Sequence, residues 1–586
     1  MIETKKRIAK AIWERLHAFR SEAAEQLDPD QIAPLLEYPP SKEMGDLAFP
    51  CFKLSKTFRC APVQIADAIS HELDCPCVSR AENVNGYLNL YLSPEYLKNL
   101  VPDILAQGDR YGRLDEGNGK VAVLDYSSPN VAKPFHIGHL GTTVIGHSLK
   151  KIHEFAGYSC VGINYLGDWG TQFGKLILAY RMWGSREEVE KGGIDTLVAL
   201  YVRMNNAISE EGKEAEKNGT VPDPKTSLAA LSRAEFHKME TGDEDNLALW
   251  KWFVEISLKE YEKTYRQLGI TFDSYKGESF YTDKMPAQIE IMRQKGLLKL
   301  DQGATIVDLS EYNMPPCLIL KSDGSTLYPT RDIAAAVYRK NTYHFDKCIY
   351  VTSNQQCQHF AQWFKVIELM GYDWYDQLVH VPYGTVSIEG TKLATRTGNV
   401  ILLRDLFGLA IEKVKGIMQE KNPDLENRDE VAEAVGVGAI VFYYLTNNRI
   451  KDINFSMEDA LSFDGNTGPY VQYTYARMCS VLRRAQEERM PVKMVTLTDE
   501  SELDLVKVLI RFREKVTQAL HDYEPSVIAR YALDVASAFN RFYHGCKIIS
   551  AEKEEVRSSR LALVEASKTV LGNAFDLICL KRTERV

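Results

Sequence analysis

The feature that most limits how this chain can fold is a strand–helix–strand pattern beginning at residue 121. Val121-Ala122-Val123-Leu124 is a short apolar run without alternation, as expected of a strand covered on both faces. A loop carrying Pro129 and Pro134 follows, and then a helical pattern from about His139 to Phe155. Ile163-Asn164-Tyr165-Leu166 reads as the next strand. Strand, helix and strand in that order make a βαβ unit, so the expected core is a doubly wound parallel sheet. The sheet pattern is expected to resume around Ala304-Thr305-Ile306-Val307 and Cys348-Ile349-Tyr350-Val351.

The chain has 586 residues, far more than one such core needs at about 150 residues per domain. Residues 1–112 read as a small α+β module. Ile8, Ala9, Ile12, Leu16 and Phe19 recur at helical spacing, and Asn85-Gly86 marks a turn between strands in Val78 to Leu92. Residues 113–404 hold the sheet core, with a charge-rich helical insertion near 185–265. A helical connector (405–454) leads to an all-α C-terminal bundle (455–586), with Gly465-Asn466-Thr467-Gly468-Pro469 as a hinge. The whole is a multidomain α/β chain.

Composition removes several classes. The apolar fraction is 45% and the charged fraction 26%, ordinary values that exclude a largely disordered chain. The net charge of −9 excludes a histone-like polycation. Residues 465–586 carry 19 basic and 16 acidic residues, so that part alone leans basic and offers a face for an anionic polymer. There is no run of about 18 apolar residues and no secretory h-region, so no membrane association is expected. Eleven scattered cysteines suit free thiols in a reducing cytoplasm. Cys75-Pro76-Cys77 lacks the second pair that a zinc site needs, so no tightly bound metal is expected.

The chemistry concentrates in the loop after the first strand, from Asp125 through Ser127, Ser128, Pro129, Asn130 and Lys133 to His136-Ile137-Gly138-His139. In doubly wound folds ligands bind beyond the carboxyl ends of the strands. A helix N-terminus offers free N–H groups and partial positive charge, which suit phosphate. Two histidines three apart can face one anion, and Gly138 lets a nucleotide approach closely. A metal pair would need a third ligand, and none is evident.

His136-Ile137-Gly138-His139 matches the HIGH signature of class I aminoacyl-tRNA synthetases, and the longer string resembles the arginyl-tRNA synthetase version. Further matches follow in order: Gly167-Asp168-Trp169-Gly170, Gly277-Glu278-Ser279-Phe280-Tyr281, Tyr328-Pro329-Thr330-Arg331-Asp332 and Gly468-Pro469-Tyr470-Val471-Gln472-Tyr473. The resemblance implies a HIGH-type Rossmann catalytic core between two RNA-facing modules. It implies ATP-dependent ligation of L-arginine to tRNA(Arg) through arginyl-adenylate, with ATP as its Mg2+ complex and the chain acting as a monomer. It further implies that activation needs tRNA.

It also implies residue roles. His136, Gly138 and His139 would bind ATP, together with Lys392 of a mobile lysine loop. That loop, Lys392-Leu393-Ala394-Thr395-Arg396-Thr397-Gly398, departs from Lys-Met-Ser-Lys-Ser by lacking the second lysine. Lys133 is the nearest cation able to compensate, neutralising charge on the leaving pyrophosphate. Asp125, Asn130, Tyr328, Asp332 and Gln356 match positions that contact arginine. A guanidinium, with five donors and no acceptor, calls for such carboxylates. The runner-up readings are another enzyme of the HIGH superfamily and a non-catalytic synthetase-like RNA-binding protein. The Gly-rich fingerprint of a nicotinamide enzyme is missing after the first strand.

Overall fold

In the computed structural model the described residues are 1–388, 391, 392, 401–421 and 425–586; for 391, 392 and 421 they include the backbone alone. The central sheet has four parallel strands in the order Leu378–Tyr383, Lys347–Ser353, Val121–Asp125, Ser159–Ile163. Val123 stands opposite Cys348 on one side and Val161 on the other. Its neighbours alternate between two cores, as a period of two requires. Ala122 and Leu124 pack with Leu140, Val144 and Leu149 of the helix Leu140–Phe155. Val123 packs with Ile333 and Ala336 of the helix Tyr328–Tyr343, and with Trp363 and Val366 of the helix Cys357–Leu369.

From Val121–Asp125 the chain crosses to Ser159–Ile163 on one side, and from Lys347–Ser353 to Leu378–Tyr383 on the other. The loops leaving the two middle strands therefore diverge, and a crevice opens between them.

Two expected strands are corrected. Ile163 ends its strand rather than beginning it. Gly157, at φ 94°, turns the chain straight from the helix into Ser159. Asn164 N donates instead to Ser274 O at 2.9 Å, outside the sheet. Ala304–Val307 does not join the parallel sheet. It is the middle strand of a separate antiparallel sheet with Leu298–Asp301 and Cys317–Leu320. Gln302 and Gly303 both have positive φ, which closes a tight hairpin that satisfies the strand locally.

The insertion consists of the helices Arg186–Lys217, Leu228–Glu240 and Glu244–Leu268. The N-terminal helix Ile2–Phe19 buries Ile8, Ala9, Ile12 and Leu16, while Phe19 is exposed. A hairpin of Val78–Val84 and Tyr87–Leu92 turns at Asn85-Gly86, both at positive φ. This module docks on the C-terminal bundle through Lys5–Glu514 (2.7 Å), Lys507–Asp46 (2.8 Å) and Arg511 stacked over Tyr38. The helices Leu403–Lys421 and Arg428–Thr446 lead to the bundle, whose first and last helices are Gly468–Glu487 and Glu554–Leu577. Among the described residues no helix is long and apolar enough to cross a membrane.

Candidate active site

The crevice is floored by Asp125, the last residue of its strand and 5% exposed. One carboxylate oxygen lies 2.7 Å from Arg339 Nη2, and the other accepts from Ser128 Oγ at 2.9 Å. Arg339 is fully buried, and its guanidinium lies near the rings of Tyr165 and Tyr350, 5.2 and 5.4 Å from their centroids. This pair ties the HIGH strand to the helix Tyr328–Tyr343.

The loop that follows is held by side chains. Ser127, Ser128 and Ala132 have φ of 72, 47 and 57°, a region that costs an L-residue about 1 kcal/mol or more. Ser127 N donates to Thr142 Oγ1 (3.0 Å), Ser128 N to Asn164 Oδ1 (3.1 Å), and Ala132 N to Ser257 Oγ (3.1 Å). Asn130 is exposed and sits against Gly167, where a Cβ would come within 2.3 Å of its Oδ1.

The two histidines form one turn ahead of the helix Leu140–Phe155, with ring centroids 3.9 Å apart. His136 Nδ1 accepts from Gly138 N at 3.0 Å, and His139 Nδ1 from His136 N at 3.2 Å. Burial pushes His136 down to about 4, with Lys133 adding to it, and His139 down to about 3. Both rings are therefore neutral, with Nδ1 used as an acceptor, so each carries its proton on Nε2 and presents it as a donor. Gly138 serves this geometry directly, since a Cβ there would lie 2.8 Å from the His136 ring. Phe135 stacks on His139 at 5.2 Å. The chain returning from the lysine loop pairs with this turn: Ile137 N donates to Ile401 O and Leu403 N to Phe135 O. Of the loop itself, Thr391–Lys392 is a short strand; the Lys392 side chain and residues 393–400 lie outside the described residues.

Across the crevice stands a second set of charges. Tyr328 opens its helix and is 66% exposed. Asp332, one turn on, meets His359 Nε2 at 2.6 Å. Arg331 pairs with Glu278 at 2.6 Å. Asp168 accepts from Ser279 N and Oγ at 2.8 and 2.6 Å, and Gly277 leaves room for its carboxylate. Burial pushes the Glu278 carboxyl up to about 7; Arg331 opposes this, while Asp332 and Asp168 add to it. Gln356 lies exposed in the turn Asn354–Gln356, just past the strand Lys347–Ser353. Glu278, Asp168 and His359 were not singled out by sequence reasoning, although the Gly-Asp-Trp-Gly and Gly-Glu-Ser-Phe strings contain two of them.

On the bundle, Arg477 lies between the rings of Tyr473 and Tyr543, 5.0 and 4.9 Å from their centroids, and donates to Asn540 Oδ1 at 2.6 Å. Tyr473 is 44% exposed.

Three family models match this chain in order. Residues 4–92 match the arginyl tRNA synthetase N terminal domain, residues 100–457 the class I (R) tRNA synthetase catalytic domain, and residues 471–586 the DALR anticodon binding domain. The arginine–tRNA ligase of Alkaliphilus metalliredigens is 50% identical over 559 residues, covering 95% of this chain and 96% of the relative. That of Clostridioides difficile is 48% identical, covering 96% and 98%. The arginyl-tRNA synthetase of Thermus thermophilus superposes with a TM-score of 0.80 at 25% identity, over 98% of this chain and 99% of that one.

Proposed function

The chain belongs to the arginyl-tRNA synthetase family, and from that premise we propose how its residues divide the ligation of arginine to tRNA. The nucleotide enters as its magnesium complex and lies over the HIGH turn. The Nε2–H groups of His136 and His139 donate to its phosphate oxygens, and Gly138 keeps the first ring folded back to do so. Lys133 and Lys392 supply the positive charge that the departing pyrophosphate needs. Arginine lies across the crevice with its guanidinium among Asp332, Glu278 and Tyr328. Its α-amino end is held by Asn130 and Gln356, and Asp125, anchored by Arg339 and Ser128, adds negative charge at the floor.

The arginine carboxylate attacks the α-phosphorus, the P–O bond to pyrophosphate breaks, and arginyl-adenylate forms. A ribose hydroxyl of the tRNA terminal adenosine then attacks the carbonyl carbon, releasing AMP. No enzyme nucleophile takes part, so catalysis rests on positioning and on donors aimed where charge develops. The bundle from about 455 onward reads the anticodon. Its exposed Tyr473 ring, backed by Arg477 and Tyr543, suits stacking on an unpaired base. Residues 1–112 grip tRNA(Arg) elsewhere, and the protein works as a cytoplasmic monomer, a setting that suits its free thiols.

The observation that carries this reading is the pair of neutral imidazoles whose Nδ1 atoms accept backbone N–H groups, which leaves both Nε2–H groups as donors at the start of the helix Leu140–Phe155. Arginine-dependent ATP–pyrophosphate exchange, run with tRNA present, tests it. Lys133→Ala is expected to lower kcat and Asp332→Ala to raise the arginine KM. Wild-type constants in both variants would remove these residues from the site.

A further inference from the structure

We propose that Tyr261 is a positioning residue for this reaction: its hydroxyl fixes the spacing between Asn130 and Lys133, and so sets the arginine half of the site against the phosphate half. Tyr261 lies on the insertion helix Glu244–Leu268, with Ser257 one turn before it and Tyr265 one turn after. All three are buried and face the loop between the HIGH strand and the HIGH turn. The Tyr261 hydroxyl lies 2.8 Å from Asn130 O and 2.7 Å from Lys133 O. Burial keeps it protonated, so its one proton is shared between the two carbonyls.

Inside the enclosed segment Val131 N donates to Gly167 O at 3.1 Å and Ala132 N to Ser257 Oγ, while the carbonyls at its two ends meet on the Tyr261 hydroxyl. The segment is not helix or strand, and Ala132, between the two carbonyls, sits at φ 57°. The neighbours of Tyr261 on the same helix hold the middle of that segment and the start of the loop. Ser257 accepts from Ala132 N, and Tyr265 bonds to Ser127 Oγ at 2.7 Å and Asn164 Nδ2 at 3.0 Å. Phe135 packs on Tyr261 and Tyr265 as well as on His139. Removing the Tyr261 hydroxyl thus leaves the loop attached at Val131 and Ala132 while releasing the carbonyls of residues 130 and 133 from their shared donor. Sequence alone hides this role, because a tyrosine at helical spacing in a charged insertion reads as core.

The inference rests on the proposed roles of Asn130 and Lys133, and the test separates the two. Tyr261→Phe keeps the ring and its packing. Arginine-dependent pyrophosphate exchange in the full-length enzyme with tRNA is measured for Tyr261→Phe, Asn130→Ala, Lys133→Ala and the packing control Phe253→Leu, each alongside thermal unfolding. Tyr261→Phe is expected to lower kcat about tenfold and raise the arginine KM about threefold, both signatures in one variant, with no fall in Tm beyond that of the control. Asn130→Ala should show mainly the KM effect and Lys133→Ala mainly the kcat effect. Wild-type constants for Tyr261→Phe beside impaired Asn130→Ala and Lys133→Ala overturn the inference and leave the site reading standing. Wild-type constants for Asn130→Ala and Lys133→Ala overturn both. Losses in Tyr261→Phe that follow only the unfolded fraction, as in Phe253→Leu, also overturn it.

Discussion

His136 and His139 stay neutral because the turn that aims them also dries them. Their titration therefore puts no acid limb on the pyrophosphate exchange rate above about pH 5. It does act on stability. Below about pH 6.5 the unfolded chain takes up protons that these buried rings refuse, so stability falls as pH drops through that window. Replacing His139 by Asn retains an N–H donor, whereas Ala retains none, so exchange should fall further in His139→Ala than in His139→Asn. Equal loss in both would point to packing rather than donation. Glu278 behaves oppositely. Its carboxyl is raised to about 7, and it is neutral below that pH. A guanidinium favours the ionised form, so binding arginine should release a proton. The arginine KM should rise as pH falls through about 7, and the thermal shift given by arginine should be larger at pH 8 than at pH 6. A pH-independent KM would remove Glu278 from the pocket.

The helix Tyr328–Tyr343 carries two jobs along its length, and only one is legible in the sequence. Tyr328 and Asp332 at its start stand out through a recognisable string; Arg339, two turns on, reads as an ordinary helical cation. It is instead buried against Asp125, 214 positions earlier in the chain, and joins two strands' worth of site. The same contrast holds elsewhere. The HIGH strand, its turn and its helix are readable because backbone periodicity and glycine placement are local. Partners supplied by the insertion, such as Ser257 and Tyr261, are not, because nothing in a charged helical stretch says which loop it will cover. Ala304–Val307 misled for the same reason: four residues, three apolar and two of them Ile and Val, fit a parallel strand as well as a hairpin. Replacing Arg339 by Leu leaves the Asp125 carboxylate buried and unpaired, at an expected cost of about 3–5 kcal/mol in urea unfolding. The double variant Asp125→Asn with Arg339→Leu should recover part of that loss.

At the scale of the molecule, the catalytic sheet and the bundle share one continuous hydrophobic core and several polar staples. Arg449 is the clearest of these. Its Nη1 donates to Pro382 O at 2.7 Å, at the edge of the catalytic sheet, and its Nε to Tyr523 O at 2.9 Å, in the bundle. Glu524 accepts from its backbone N. Arg449→Met strips both carbonyls of their donor and should lower stability by about 2–4 kcal/mol. The measurement is urea unfolding followed separately by a bundle probe and a catalytic-domain probe, whose midpoints should move apart in the variant.

The HIGH helix spans the same boundary lengthwise. Its 16 residues make a rod about 24 Å long. A Cβ at Gly141, beside the HIGH turn, would come within 2.2 Å of the Tyr444 hydroxyl of the connector, and Ser148 donates to Leu577 O in the last bundle helix at 2.6 Å. A rod seated in both partners has no preferred direction of influence. Whatever factor RNA on the bundle contributes to nucleotide affinity at the turn, nucleotide returns to RNA affinity unchanged, because the two orders of assembly close one thermodynamic cycle.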